Sequence, residues 1–468
     1  MTDVRSPVQN TITFKNSQGD RARGTLMKLT RTSIVMEVYN PYSIVQLSEV
    51  LEEVTIYRGP QTIYSGKGVV SNLVNTGLML IVSATLVDNW ENLTELDEEQ
   101  TLGMEAEKFV SGWSNAQQLY SGYQLIVGKL RSFLYELNLW MDQIGLIEDN
   151  GDTQSEESRK QLEQLVQPIL PKIQEMFTEF EMEAKEIKDE ELMTHKLYAQ
   201  HDLHPLLMRS PFVHRTFTKP LGYAGDYEMV NMMLRDGWEG PTGYAKIVNY
   251  FHILRGPAEA HRNRISILVQ KLEELAKKGA ESGKRLKVLN IACGPAAEIQ
   301  TLVEKSELSE FLEFTLLDFN DLTLGYTRQK LKDISEKSKR DLNVNYIQAS
   351  VHELLKSVHL EKLELGEDEH DMVYCAGLFD YLSDRVCTRL LRLFYRLIKP
   401  QGRVLVTNVD PSNSSTYLME HLLEWYLIYR DQDHLSRMVK GLGEQVTYAD
   451  ETGMNVFLEI LKPETLND

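Results

Sequence analysis

The chain has 468 residues, 42% of them hydrophobic, and a formal net charge of −19 from 69 acidic and 50 basic side chains. The length and the apolar share suit about three domains with real cores. The acidic balance excludes a general nucleic-acid binder, which needs a basic stripe to neutralise phosphates.

The N-terminus carries no signal-peptide pattern and no apolar run reaches the length of a membrane span, so the chain reads as cytoplasmic with no integral membrane association. The cysteines Cys293, Cys375 and Cys387 lack metal-ligand spacing, and Cys293 and Cys375 sit in apolar runs, so they read as core residues and no metal is expected.

In chain order, residues 1–95 come first. Thr11–Phe14, Gly24–Leu29, Ser33–Val38, Val54–Tyr57, Gly66–Asn72 and Gly77–Ser83 read as short strands between Gly and Asn breaks. So many strands in so short a stretch predict a small β-barrel. Glu91–Gln100 is acidic and without apolar period. Residues 96–200 then repeat apolar side chains at helical spacing: Phe109, Trp113, Tyr120, Tyr123, Val127, Leu130, Phe133, Leu134, Leu137 and Trp140, a break at Glu148–Asp152, and a second run from Leu162 to Met182. This predicts a helical hairpin or bundle. Its stripes serve either as intrachain core or as the seam of a homodimer.

Residues 201–285 hold cations, histidines and a glycine-flanked loop ahead of an α/β region, residues 286–468. The strand run Lys287–Ile291 ends in the small-residue turn Ala292-Cys293-Gly294-Pro295-Ala296, and a helix follows at once. Such a turn at a helix N-terminus is how an α/β sheet receives an adenosyl or phosphate ligand. Asp318 ends the next strand, Phe314–Asp318, 24 residues after Gly294, where an acid can hold ribose hydroxyls. The turn has one glycine of the dinucleotide fingerprint, which favours S-adenosylmethionine over a pyrophosphate-bearing cofactor. Further strands are predicted at Val344–Gln348, Met372–Cys375, Gly402–Val409, Gln445–Tyr448 and Asn455–Leu461, the last two joined by the turn at Asp450–Gly453.

Over residues 285–468 the chain resembles class I S-adenosylmethionine-dependent methyltransferases. Asn290–Ala296 stands at the glycine-rich first motif and Asp318 at the ribose-binding acid. Gln348–Val351 stands at the strand end bordering adenine, Asp371–Phe379 at the fourth strand, and Leu397–Leu405 at the loop before the fifth. The resemblance implies a Rossmann-like fold and a cofactor site of Ala292, Cys293, Gly294, Pro295, Asp318, Phe319, Ser350, Val351, Ala376 and Gly377. Two departures stand out: Asn290 replaces an acid, and Cys375–Leu378 replaces the tetrapeptide of enzymes that methylate planar amines.

Lys219–Glu228, His261–Arg264 and Glu424–Arg430 resemble bacterial methyltransferases labelled 3-hydroxypalmitic acid methyl ester biosynthesis proteins. They add Tyr223, Gly225 and Asp226 as expected cofactor contacts. Asp226 also suits the N-cap of a helix over Tyr227–Leu234. A carboxylate acceptor needs a cationic anchor but no base, and the pre-sheet segment offers Arg209, Arg215, Lys219, Arg255, Arg262 and Arg264. Arg262, Arg264, Trp425 and Tyr429 are the expected substrate contacts. The nearby histidines His201, His204, His214, His252 and His261 match no tight metal site.

Residues 1–90 resemble a PilZ-type barrel, a module that often binds cyclic di-GMP. Its Arg-x-x-x-Arg pair is degraded to Arg21 and Arg23, and Leu29–Val35 lacks the acid and glycine of the second motif. The resemblance then implies a regulatory module or a protein-partner site. The expected function is carboxyl O-methylation of a small molecule or lipid. A protein or peptide methyltransferase, and a signalling scaffold that senses S-adenosylmethionine without turnover, are the alternatives.

Overall fold

The structure, a computed structural model, describes residues 11–16, 21–30, 32–39, 45, 48–58, 61–75, 79–88, 103, 107, 110, 119–144, 156–188, 191–221, 223–355 and 362–464. Predicted features at Phe109, Trp113, Glu91–Gln100, Glu148–Asp152 and Gly222 lie outside these residues. The chain forms two compact units, Met1–Arg209 with Phe217–Tyr223 and Tyr417–Glu424, and Ser210–Thr216 with Ala224–Thr416 and Trp425–Asp468.

In the first unit, strands β1 (Thr11–Lys15), β2 (Arg21–Leu29), β3 (Ser33–Tyr39), β4 (Val50–Arg58), β5 (Gln61–Asn75) and β6 (Met79–Leu86) close a barrel in the order β1-β2-β3-β6-β5-β4. All pairings are antiparallel, and β4 pairs back to β1. Alternate residues point inward, as the pleat requires, so Ile12, Phe14, Ile34, Met36, Val38, Val54, Ile56, Val82 and Ala84 fill the interior. Closure leaves no edge strand to aggregate. Arg21 and Lys15 both bond the carboxylate of Glu53 on the barrel surface.

Helices α1 (Ser121–Ile144), α2 (Glu156–Lys185) and α3 (Leu192–Leu207) follow. The α1 face formed by Tyr123, Ile126, Val127, Leu130, Leu134 and Leu137 is buried, as the 3.6-residue period predicts. The Tyr123 ring packs 5.3 Å from Phe180 of α2, and its hydroxyl meets His421 Nδ1 at 2.9 Å. Burial raises the Tyr123 phenol and pushes His421 down to about 3, so both are neutral. Glu181 of α2 accepts hydrogen bonds from the backbone N–H groups of Tyr417 and Leu418, at 2.9 and 2.8 Å. Lys196 of α3 and Lys219 both engage Glu424, through its carboxylate at 2.9 Å and its carbonyl at 2.7 Å.

The second unit contains helices α4 (Pro211–Thr218), α5 (Tyr227–Leu234), α6 (Gly243–Leu254) and α7 (Gly256–Ser282) ahead of the sheet; α4 crosses from one unit to the other. The α/β part comprises β7 (Leu286–Ile291), α8 (Ala297–Lys305), β8 (Leu312–Asp318), α9 (Asp321–Ser338), β9 (Asn343–Gln348), α10 (Val351–Leu354), β10 (His370–Cys375), α11 (Asp384–Leu397), β11 (Ile398–Val409), α12 (Gln432–Met438), β12 (Glu444–Ala449) and β13 (Asn455–Leu461). The sheet runs β12-β13-β11-β10-β7-β8-β9. Its central strands are parallel, while β13 pairs antiparallel with β11 and β12.

Parallel strands covered on both faces bury consecutive residues, and Val288–Ile291 of β7, Met372–Cys375 of β10 and Val404–Asn408 of β11 do so. One core joins Leu268 and Leu272 of α7, Ile299 and Leu302 of α8, and Leu324 of α9 to Val288, Phe314 and Leu316 of the sheet. Among the described residues, no helix is long and apolar enough to cross a membrane.

Arg430 braces the loop between β10 and α11. It is fully buried. Its guanidinium donates to the carbonyls of Phe379 and Leu382, to Asn408 Oδ1 and to Asp384 Oδ1. Replacing it with Leu orphans the buried acceptors on Phe379, Leu382 and Asn408. Arg430→Leu is expected to cost about 3 kcal/mol, read as a lower urea midpoint for the intact chain.

Candidate functional site

The strand order reverses between β7 and β10, since β7 leads outward to β8 and the chain returns to β10 on the other side. In open α/β sheets the crevice beyond the carboxyl ends at such a switch point receives the ligand. The segments after β7, β8 and β10 emerge there.

After β7 the backbone turns through three left-handed residues, Ala292 (φ 56°), Gly294 (φ 52°) and Ala296 (φ 50°). Two of the three carry a Cβ, so the turn holds strain that surrounding bonds must hold in place. Cys293 N donates to Leu317 O, and Thr327 Oγ1 of α9 donates to Gly294 O at 2.7 Å. A side chain at Gly294 would meet nothing within 4 Å, so the turn is open on the face where a ligand would lie. Burial pushes the Cys293 thiol well up and keeps it neutral.

Asp318 is buried at the end of β8. Its two oxygens accept hydrogen bonds from Gly294 N at 3.1 Å and Asn320 N at 3.0 Å. The acid and the turn are therefore one unit. An ionised carboxylate has about four acceptor sites, so two backbone donors leave room for a pair of ribose hydroxyls. Burial raises the Asp318 carboxyl to about 6, against the lowering effect of its backbone donors.

Asn290, which stands where the motif has an acid, is not alone. Its Nδ2 donates to Glu298 Oε1 of α8 at 3.0 Å, and the Tyr374 hydroxyl of β10 donates to the same oxygen at 2.6 Å. Glu298 thus sets a carboxyl from the helix against the Asn290 side chain, and burial raises its pKa. Neither Glu298 nor Tyr374 was found from sequence, where an acid in a first helical turn is commonplace.

Ala376 and Gly377 follow β10, with Gly377 at φ 95° and its N–H on Thr407 Oγ1 at 3.2 Å. The guanidinium of Arg264, from α7, lies beside it: a Cβ at Gly377 would sit 3.2 Å from Nη1. Arg264 is buried. Its hydrogen bonds, among the described residues, go to half-buried His261, with Nη2 2.8 Å from Nδ1. Desolvation keeps that imidazole neutral. Within reach of its field are Asp380, Glu298 and Tyr381.

Tyr381 is a third residue the sequence did not single out. Trp425 Nε1 donates to its hydroxyl at 3.0 Å, and a Cβ at Gly225 would come 2.7 Å from the same oxygen. Gly225 and Trp425 are thereby brought together.

The remaining expected contacts are placed as follows. Both oxygens of Asp226 engage Arg215, at 3.0 and 2.7 Å, and Oδ1 also caps α5 through Met229 N. Ser350 caps α10 in a reciprocal box with Glu353, and Val351 opens that helix. Phe319 O accepts from Gln348 Nε2 at 3.3 Å. Tyr429 meets Asn413 at 3.5 Å. Arg262 is turned to the carbonyls of Met233 and Ile253, at the ends of α5 and α6. Tyr223 is buried within the first unit. His204 bonds the Leu422 carbonyl and His252 the Val248 carbonyl.

Residues 282–450 match the model of a family described as a methyltransferase domain. No curated protein matches the sequence. Solved structures similar to the chain include a possible exported protein from Bordetella parapertussis (14% identity, 54% of this chain and 86% of that one, TM-score 0.42). Two others are magnesium protoporphyrin IX methyltransferase from Synechocystis PCC 6803 (10%, 45% and 88%, TM-score 0.32) and the N-methyltransferase NodS from Bradyrhizobium japonicum WM9 (13%, 44% and 98%, TM-score 0.29). With the family match, the strand order and the turn in agreement, the enzyme is an S-adenosylmethionine-dependent methyltransferase.

Ribose hydroxyls donate to the ionised form of Asp318, so cofactor affinity should rise with pH through about 6 and level off above it. Calorimetry with S-adenosylhomocysteine between pH 5 and 8 checks this. Asp318→Asn should flatten the profile, and Asp318→Ala should cost roughly 1–3 kcal/mol of binding.

Proposed function

We propose that the enzyme O-methylates a carboxylate of a small molecule or lipid, with Arg264 as the anchor of the acceptor. The observation that carries this reading is a buried guanidinium beside Gly377 with no carboxylate within ion-pair distance among the described residues. A buried cation is costly unless an anion meets it. Its neighbour His261 is neutral, and Asp380 and Glu298 act on the charge only through space, with no ion pair formed.

The chemistry needs positioning more than proton transfer. A carboxylate oxygen attacks the methyl carbon as the carbon–sulfur bond breaks, and the bonding pair returns to sulfur. The products are a methyl ester and S-adenosylhomocysteine, and no proton is released. Arg264 orients the acceptor, Asp318 and the Gly294 turn hold the adenosyl group, and Tyr381 with Trp425 walls the crevice. Residues 201–285 act as the substrate cap, 286–468 as the catalytic domain, 96–200 as a helical linker domain. The barrel, residues 1–95, is a PilZ-like regulatory module that takes a protein partner. The resemblance of Lys219–Glu228, His261–Arg264 and Glu424–Arg430 to 3-hydroxypalmitic acid methyl ester biosynthesis proteins supports a lipid acceptor.

One observation favours a second use of the same charge. Arg264 also feels Glu298, on the helix that follows the cofactor turn, which would suit the α-carboxylate of the cofactor itself. The two uses separate cleanly. Arg264→Gln should leave S-adenosylhomocysteine affinity near normal while methylation of lysate carboxylates, read as alkali-labile label, falls roughly 100-fold. Loss of affinity for S-adenosylhomocysteine, with none for an analogue lacking the carboxylate, would assign the arginine to the cofactor. Label on lysine or a nucleobase would refute the carboxylate acceptor.

The barrel reading has its own check. Arg21 is already bonded to Glu53, and its arginine partner is missing. Equilibrium dialysis of the full chain against cyclic di-GMP is expected to show no saturable micromolar binding.

A further inference from the structure

Helix α1 buries one face and leaves the other bare. On the bare face Leu125, Tyr135, Leu139 and Trp140 are 59%, 53%, 43% and 43% exposed. Large apolar side chains gathered on one side of one helix mark an interaction surface, unlike apolar residues scattered singly.

This face has an internal symmetry. Leu125 lies seven residues before Ser132 and Leu139 seven after it. A surface of that kind is complementary to itself under a two-fold axis. Its middle is slim: Ser132 is exposed, and a side chain at Gly128 would meet nothing within 4 Å. Charge sets the direction. Lys129 and Arg131 lie on the N-terminal side of the centre or beside it, Glu136 and Asp142 on the C-terminal side. Antiparallel pairing about Ser132 brings Lys129 beside Glu136 of the other copy, whereas parallel pairing sets like against like. Lys129 and Arg131 now pair with Glu179 at 2.7 Å and Asp202 at 3.6 Å. With their own side chains largely exposed, those pairs are weak enough to exchange.

We propose that the occupant is a second copy of this chain, packed α1 against α1 in antiparallel fashion about Ser132. Leu125 of one copy then meets Leu139 of the other, and Tyr135 covers the gap at Gly128. A single helix pair is small beside standard interfaces of roughly 1,600 Å², so the dimer should dissociate on dilution.

Sedimentation of the full chain over a hundredfold concentration range tests this. The mass should climb from 53.8 kDa toward twice that value. Leu125→Glu alone and Leu139→Lys alone should each stay monomeric with an unchanged circular dichroism spectrum. Combining them should restore the dimer, because each introduced acid then faces an introduced base. As an independent reading, Ser132→Cys should cross-link to itself under mild oxidation, while Gln143→Cys should not. A monomer at every concentration, or failure of both the double variant and the Ser132→Cys cross-link, would overturn the proposal and leave the face to another protein or to residues 89–118 of the same chain.

Discussion

The reversal of strand order between β7 and β10 is the constraint on which the catalytic unit depends. Parallel strands need crossovers, and their carboxyl ends all point one way. Where the winding changes direction, no crossover covers those ends, and the sheet itself opens a crevice. The turn after β7, the acid after β8 and Gly377 after β10 reach that crevice because each follows directly from its own strand. Asp318 then ties the first two together by taking the N–H of Gly294. A strained turn thus carries a built-in restraint from the group that would share its ligand.

Burial shapes the electrostatics around this frame. Desolvation raises the carboxyls of Asp318, Glu298 and Asp380 and depresses Arg264 and His261, so each charged form is held at a cost. The cost is met locally where partners exist: Glu298 has the Tyr374 hydroxyl and Asn290, and Asp380 takes the N–H of Val409 at 2.7 Å. Arg430 and Arg264 show the contrast. The first is fully buried and saturated with acceptors, so it is architecture. The second is buried with a neutral imidazole as its hydrogen-bond partner and carboxylates acting on it only through space.

The first unit uses its polar groups differently. Glu181, Lys196, Gln200 and Lys219 converge on residues 417–424 and fix that short segment to α2 and α3. Burial of Lys219 lowers its ammonium to about 8, against the pull of Glu424, so this clasp is at full charge only below that pH. The buried Tyr123–His421 pair beside it is neutral at physiological pH and adds packing without titration.

Local pattern was enough to define the barrel strands, the α5 helix at Tyr227–Leu234, the run of sheet strands from β7 to β13, and the Gly294 and Asp318 positions. Period, turn residues and apolar runs report burial along the chain, and burial is what builds those elements. Pattern could not say who meets whom. Asp226 answers Arg215, Arg262 answers two carbonyls, Glu298 meets Asn290, and Tyr381 joins Gly225 to Trp425. Most of these pairings span tens to hundreds of residues. A buried polar group takes whichever partner the packed chain delivers to it, and that delivery is a property of the tertiary fold alone.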